Sequence, residues 1–467
     1  MADTLAPKLA LARAVGALSR MRGGGATSAP GKVLMRLAPG AIGALGGRLR
    51  RGSVLISATN GKTTTAAMAA AIFQSAGVKL VHNNAGANMA GGIATTLLSA
   101  AAPGGKLTGE LGLFEVDEMW LAPLASQLQP RAILLGNLFR DQLDRYGELE
   151  TIADQWQQIV QRSDAQLVLN ADDPLIADLG REHAGAIYFG VQDDSLALAG
   201  IAHAADAKHC RRCGAPYTFD AIYLGHLGHY HCERCGRSRP APAITAADVR
   251  LEGVRAAHFK LRTPAGEAVV SLALPGLYNV YNALAAVALA SALEVSLENV
   301  VEGLQSTRAA FGRGETVTVS APGSAGPPAR RQLHILLVKN PAGANEVLRT
   351  LMLEPGEHDL LAVLNDRIAD GRDVSWIWDA DFELMAGRVR VITCSGTRAA
   401  ELAARLKYAG IAPAGIHVQE DLALALDEAV SNRPVPDAPL YALPTYTAML
   451  ALRELLVARG EASSAWV

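Results

Sequence analysis

From Ser53 onward, short apolar runs alternate with longer stretches of helical spacing. Val54-Leu55-Ile56-Ser57 meets a Gly/Asn turn and then an alanine-rich helix from about Thr63. Similar runs at 111–116, 132–135 and 166–169 are apolar on successive residues and bounded by turn residues or helical pattern. A strand that is apolar on both sides needs cover on both faces, so this alternation predicts a mostly parallel sheet flanked by helices. A helix is expected at about 280–292. Strands at 334–338, 360–364 and 389–393, each followed by helical sequence, predict a second, smaller Rossmann-like unit.

The pattern breaks in two places. Residues 203–241 are rich in His, Cys, Arg and Gly and read as a small inserted module. A Pro/Gly/Ser stretch at 321–329 predicts a domain boundary. The expected organisation is an N-terminal helical segment over 1–52, a middle domain over 53–320 carrying the insertion, and a C-terminal domain over 330–467.

Composition adds bounds. Hydrophobic residues make up 50% of the 467 and charged residues 19%, an ordinary globular balance. The formal net charge of −2 gives no pointer to nucleic acid. The charge is uneven, however: residues 1–51 hold nine Lys and Arg against Asp3 alone. That segment reads either as a solvated amphipathic helix packed on the main domain or as a surface suited to anionic lipid. No apolar run is long enough to predict a membrane-crossing helix.

Two motifs carry chemistry. Ala58-Thr59-Asn60-Gly61-Lys62-Thr63-Thr64-Thr65 lies between a predicted strand and a predicted helix. Amides of such a loop cradle phosphate oxygens, Lys62 supplies a mobile cation and the Thr63 hydroxyl is placed to ligate Mg²⁺. ATP and Mg²⁺ are therefore expected, with Thr59, Asn60, Gly61, Lys62, Thr63 and Thr64 as the binding set. The second motif is Cys210-x-x-Cys213, eighteen residues, then Cys232-x-x-Cys235. Four thiolates at this spacing predict a structural Zn²⁺ ribbon. With the site closed by sulfur, His209, His226, His229 and His231 are expected at the surface.

Further segments occur in a telling order. Phe114-Glu115-Val116-Asp117-Glu118 ends a strand. Asn137-Leu138-Phe139-Arg140-Asp141-Gln142-Leu143-Asp144 and Asn170-Ala171-Asp172-Asp173-Pro174 follow, then Pro275-Gly276-Leu277-Tyr278-Asn279-Val280-Tyr281-Asn282 and Gly312-Arg313-Gly314-Glu315. Together with the phosphate loop they resemble the Mur ligase and folylpolyglutamate synthetase family. The resemblance implies a P-loop Mur ligase middle domain, Mg²⁺ ligation by Glu115 beside Thr63, Asn279 and Asn282 near the adenine side of ATP, and Arg313 approaching phosphate.

The chain also departs from that pattern. Gln142 stands where most relatives place a metal-binding histidine, and no lysine lies between Lys106 and Lys208 to be carbamylated. Leu336 occupies the place of a ribose-binding aspartate. Only 52 residues precede Ser53, without a nucleotide-sugar-binding unit. Residues 365–379, including Asp373, Trp376, Trp378 and Asp379, and the stretch Leu443-Pro444-Thr445-Tyr446-Thr447 resemble the MurT branch of the family. That resemblance implies a GatD-type glutaminase as heterodimer partner, lipid II as substrate at the inner face of the membrane, and Asp373 and Asp379 as candidates to face the partner's histidine. Cys394 lacks the tight glycine turn of a glutaminase nucleophile, so ammonia is expected from another polypeptide. The expected reaction is ATP-dependent amidation of the D-glutamate α-carboxylate of lipid II through an acyl phosphate. An amino-acid-adding ligase of the folylpolyglutamate type, or a zinc-ribbon ATPase that binds nucleic acid, remains the alternative.

Overall fold

The computed structural model describes residues 5–21, 27–83, 87–141, 149–200, 205–308, 313–320, 330–432, 434–435 and 437–463, with backbone alone at 19–21 and 313. Gln142, the glycine run at 23–25 and the stretch at 321–329 lie outside the described residues.

Two sheets organise the chain. The larger runs in the order β11 (Gly266–Leu272), β10 (Ala256–Thr263), β9 (Ile244–Glu252), β6 (Ile187–Val191), β5 (Gln166–Asn170), β4 (Ala132–Leu135), β1 (Ser53–Ser57), β3 (Leu111–Glu115), β2 (Leu80–His82). From β6 to β2 all pairings are parallel, and β9–β11 form an antiparallel extension at one edge. Side chains on a strand alternate between faces. Val54 and Ile56 accordingly enter one core with helices Lys62–Ser75 and Leu277–Ala292, while Leu55 enters the opposite one with helices Ala90–Ala100 and Leu149–Arg162. The expected two-sided cover is present.

The second sheet runs β12 (Arg313–Ser320), β13 (Arg330–Leu336), β17 (Leu440–Pro444), β14 (His358–Val363), β15 (Val389–Ser395), β16 (Ile416–Val418). Here the expected boundary at 321–329 needs correcting. Ser320 pairs with Arg330 in an antiparallel ladder, so that stretch joins two neighbouring strands of one sheet. The chain has already passed into the second sheet by Arg313. Pro, Gly and Ser mark turns as readily as linkers, and composition alone does not separate the two.

The insertion forms a two-stranded sheet, β7 (Thr218–Leu224) and β8 (Leu227–His231), beneath the cysteines. Ahead of β1, helix Ala6–Met21 buries Leu9 and Ala12 against the body while Leu11 and Leu18 stay exposed. The Arg13 guanidinium reaches carbonyls at the end of helix Ala90–Ala100, including Leu98 O at 3.2 Å, as cations do at a helix C-terminus.

Candidate active site

β1 ends at Ser57 and helix Lys62–Ser75 begins five residues later, so the loop between them sits at the carboxyl edge of the sheet. In open α/β sheets that edge is where ligands bind. Gly61 takes φ of +85°, and a Cβ there would lie 2.0 Å from Asn282 Oδ1. Only glycine permits both the turn and this close approach. Gly61 also caps the helix without a side chain, which leaves the first-turn amides directed at whatever occupies the cleft.

Around the loop a charged cluster is built from strand ends. The Lys62 ammonium lies 3.0 and 3.1 Å from the two Glu118 carboxylate oxygens and also bonds the Ala58 carbonyl. Burial alone would lower the Lys62 pKa, but the carboxylates of Glu118, Glu115 and Asp117 outweigh it and raise it above the ordinary value. The Thr63 hydroxyl donates to Glu115 Oε2 at 2.8 Å, and Asn88 Nδ2 donates to the other Glu115 oxygen at 3.2 Å. Asn83 fixes the Glu115 backbone from both sides, accepting its N–H at 2.9 Å and donating to its carbonyl at 2.8 Å. A hydroxyl and a carboxylate oxygen thus converge beside the phosphate loop, a hard-oxygen donor set that suits Mg²⁺.

The second sheet closes the cleft. Lys339 donates to Thr59 O at 3.1 Å and to Asp141 Oδ2 at 2.5 Å. The cavity so formed, about 350 Å³, is lined by residues 59–64, by Glu115, Glu118, Asn279 and Asn282, by Leu336 and Glu346 of the second unit, and by Leu224 and Leu227 of the insertion. Thr59, Asn60, Gly61, Lys62, Thr63, Thr64, Glu115, Asn279 and Asn282 therefore share one cavity. Asn282 lies at its phosphate-loop end: it accepts from the Thr65 hydroxyl at 3.3 Å and donates to Asn279 Oδ1 at 3.0 Å. The Arg313 side chain lies outside the described residues. Glu118, Lys339 and Asn340 join the site beyond the candidates named from the sequence. Their signal is the Asp117-Glu118 pair after Glu115 and the Lys-Asn-Pro at 339–341.

Asp373 and Asp379 stand apart from this cavity, exposed on the second unit. Backbone and hydroxyl groups of Ser375 lower the Asp373 pKa. Asp379 lies 3.5 Å from the Arg140 guanidinium, which also binds Asp206. Between them, Trp376 packs on the core and Trp378 is exposed, 5.9 Å from the Tyr408 ring. Cys394 is fully buried, and burial pushes its thiol up to about 12, which makes it inert as a nucleophile.

The four insertion cysteines place their sulfurs within 4.8 Å of one another. Gly214 and Gly236, at φ of +73° and +71°, close the two knuckles and bond back to the carbonyls of Cys210 and Cys232. Burial alone would raise the Cys210 thiol, yet amides of Cys213 and Arg212 outweigh it and lower its pKa, while at Cys213 the lowering by the Ala215 amide is outweighed by burial and the three neighbouring sulfurs, which raise its pKa. A tetrahedral thiophilic ion such as Zn²⁺ fits this donor set. One expectation fails here. His226 is buried at the turn of the hairpin, its ring 4.6 Å from that of Phe139, whereas His209 is exposed and His229 and His231 are half-buried. Spacing from the cysteines says nothing of where the hairpin tip packs.

Known proteins place this architecture. Residues 56–231 match the Mur ligase middle domain model and residues 337–449 the MurT ligase C-terminal model. The chain is 33% identical over 446 residues, 95% of its length and 94% of the relative's, to the MurT subunit of lipid II isoglutaminyl synthase (glutamine-hydrolyzing) of Streptococcus pneumoniae. It is 31% identical to that of Staphylococcus aureus over 86% of each chain. Among solved structures it resembles a pseudomurein peptide ligase type C of Methanothermus fervidus, with a TM-score of 0.64 and 23% identity over 88% of this chain and 79% of that one. It also resembles the MurF ligase of Thermotoga maritima in complex with ADP, at 0.61 and 14% over 91% and 82%. The chain belongs to the Mur ligase family, in its MurT branch.

Proposed function

We propose that this chain is the ATP-consuming subunit of a lipid II isoglutaminyl synthase. The observation that carries the reading is the convergence of Lys62, Thr63, Glu115 and Glu118 on one loop inside a cleft roofed by the second sheet. ATP lies with its phosphates on residues 59–64. Thr63 and Glu115 would hold Mg²⁺, which would supply charge neutralisation at the phosphate oxygens. Lys62 leaves Glu118 to meet the transferring phosphoryl group, where its charge is stabilising. The substrate α-carboxylate attacks the γ-phosphate and ADP leaves, giving an acyl phosphate. Ammonia then attacks the acyl carbon and phosphate departs. The nitrogen loses a proton and D-isoglutaminyl lipid II results.

Ammonia comes from a GatD-type glutaminase docked on the second unit, with Asp373 or Asp379 turned toward that partner's histidine. The enzyme works at the inner face of the membrane. Support for this lies in the basic N-terminal segment and in Leu11 and Leu18, exposed on helix Ala6–Met21. No helix among the described residues is long and apolar enough to cross a membrane.

The test is co-purification with a candidate glutaminase and mass analysis of lipid II after incubation with ATP, Mg²⁺ and glutamine. A loss of about one dalton, as hydroxyl becomes amide, is the expected product. Addition of a glutamate mass to a soluble acceptor would overturn the reading.

A further inference from the structure

The cysteine module reaches much further into the molecule than a peripheral staple would. Its metal-ligand knuckles sit at one end of the β7–β8 hairpin and its two-residue turn, Gly225-His226, at the other. At about 3.3 Å per residue the seven-residue strand separates the two ends by roughly 20 Å. The turn end is fully buried, and Leu224 and Leu227 on either side of it line the nucleotide cleft.

From that turn an unbroken set of contacts leads to the phosphate loop. The His226 ring packs on Phe139, and a Cβ on Gly225, at φ of +60°, would meet the same ring at 2.8 Å. His226 Nδ1 accepts the Asp206 N–H at 3.3 Å, and Asp206 in turn accepts the Arg140 N–H at 2.9 Å. Nε2 faces Asp173 Oδ2 at 3.4 Å, and that oxygen accepts the Leu138 N–H at 2.9 Å. The hairpin thus packs directly on Phe139 and abuts Asp173 and Asp206, whose carboxylates accept the N–H groups of Leu138 and Arg140. Segment 137–140 carries the loop. The Thr59 hydroxyl accepts the Phe139 N–H at 3.0 Å and donates to its carbonyl at 3.2 Å. Asn137 accepts the Asn60 N–H at 2.9 Å and donates to the Asn60 carbonyl at 3.0 Å.

We propose that the hairpin of the cysteine module is a positioning element of the nucleotide site, acting through segment 137–140 on Thr59 and Asn60 and lending Leu224 and Leu227 as an apolar wall. This rests on the reading that the cleft takes ATP. A loop that cradles phosphates works only while its amides stay aimed, and small displacements cost heavily. The cysteine knuckles anchor one end of a hairpin whose other end sets that aim. Arg211, which pairs with Asp154 at 2.5 Å beside the knuckles, makes no such contact and serves as the control position.

The experiment uses the full chain with its glutaminase. Isothermal titration with a non-hydrolysable ATP analogue and Mg²⁺, steady-state KM and kcat for ATP, amide exchange over residues 58–61 and zinc content are read for wild type, His226→Ala and Arg211→Ala. His226→Ala should weaken analogue binding and raise KM by about tenfold with kcat nearly unchanged. It should speed exchange at 58–61 and keep zinc at the wild-type level. Arg211→Ala should match wild type in all four. Should His226→Ala not fold, Leu227→Ala is read the same way. A folded variant with wild-type affinity and KM, or with a loss confined to kcat, overturns the proposal and leaves the ATP reading standing. Absence of analogue binding to the wild type overturns both.

Discussion

Asn60 and Asn340 exchange two side-chain hydrogen bonds, at 2.9 and 3.3 Å, across 280 residues of sequence. One asparagine lies in the phosphate loop and the other at the start of helix Pro341–Met352, whose Gly343 N–H it also caps at 2.8 Å. A reciprocal amide pair is directional, so it fixes both the separation and the orientation of the two units at the cleft. Asn340→Ala removes the pair and the cap, the latter costing about 1 kcal/mol. KM for ATP is expected to rise about tenfold with a smaller change in kcat, measured by steady-state phosphate release.

Lys62 and Glu118 form an almost buried ion pair, with 11% and 5% of their side chains exposed. Lys62→Met is expected to reduce turnover by at least about a hundredfold, because the charge that meets the phosphoryl group is lost. It also strands the Glu118 carboxylate and lowers the melting temperature. Adding Glu118→Gln should restore the melting temperature without restoring turnover. Calorimetry alongside the phosphate-release assay separates the two effects.

Glu346 lines the same cavity from the second unit. Burial raises its carboxyl to about 7, with Arg349 opposing the shift and Asp381 adding to it. A carboxyl raised above its unfolded value binds its proton more tightly when folded. The stability linked to that proton is complete below about 4.5 and is lost as pH rises through about 7. Glu346→Gln should therefore melt higher than wild type at pH 8 and level with it at pH 4. An equal difference at both values would rule the linkage out.

The cysteine cluster predicts about one thiophilic metal per chain, read by elemental analysis. Cys213→Ser should lose that metal and melt at lower temperature, as expected when metal binding is coupled to local folding. Chelation of the wild type should reproduce the shift, and re-addition of Zn²⁺ should reverse it.

Asp379 lies outside the ATP cleft and is exposed. If it serves the glutaminase, Asp379→Ala should cut glutamine-supported amidation by about tenfold or more and leave activity with added ammonium at the wild-type level. Equal losses with both nitrogen sources would place Asp379 in the ligase chemistry or in packing.

The elements were largely legible in advance, because an apolar run that needs cover on both faces and a CxxC knuckle closed by glycine are short-range instructions. Composition misled at 321–329, because Ser320 and Arg330 on either side of that stretch pair in the β12–β13 ladder. His226 was misassigned for a related reason, since burial of a hairpin tip depends on Phe139 and Asp173, distant in sequence.

Local chain chemistry specifies the glycine turn of the phosphate loop, the paired acids at the end of β3 and the two CxxC knuckles, for each is a pattern over a few adjacent residues. The meeting of Asn60 with Asn340, of Lys62 with Glu118 and of the insertion hairpin with segment 137–140 required the assembled molecule. Such contacts join residues whose mutual distance is set by how strands are ordered and helices packed, and no spacing along the chain encodes it.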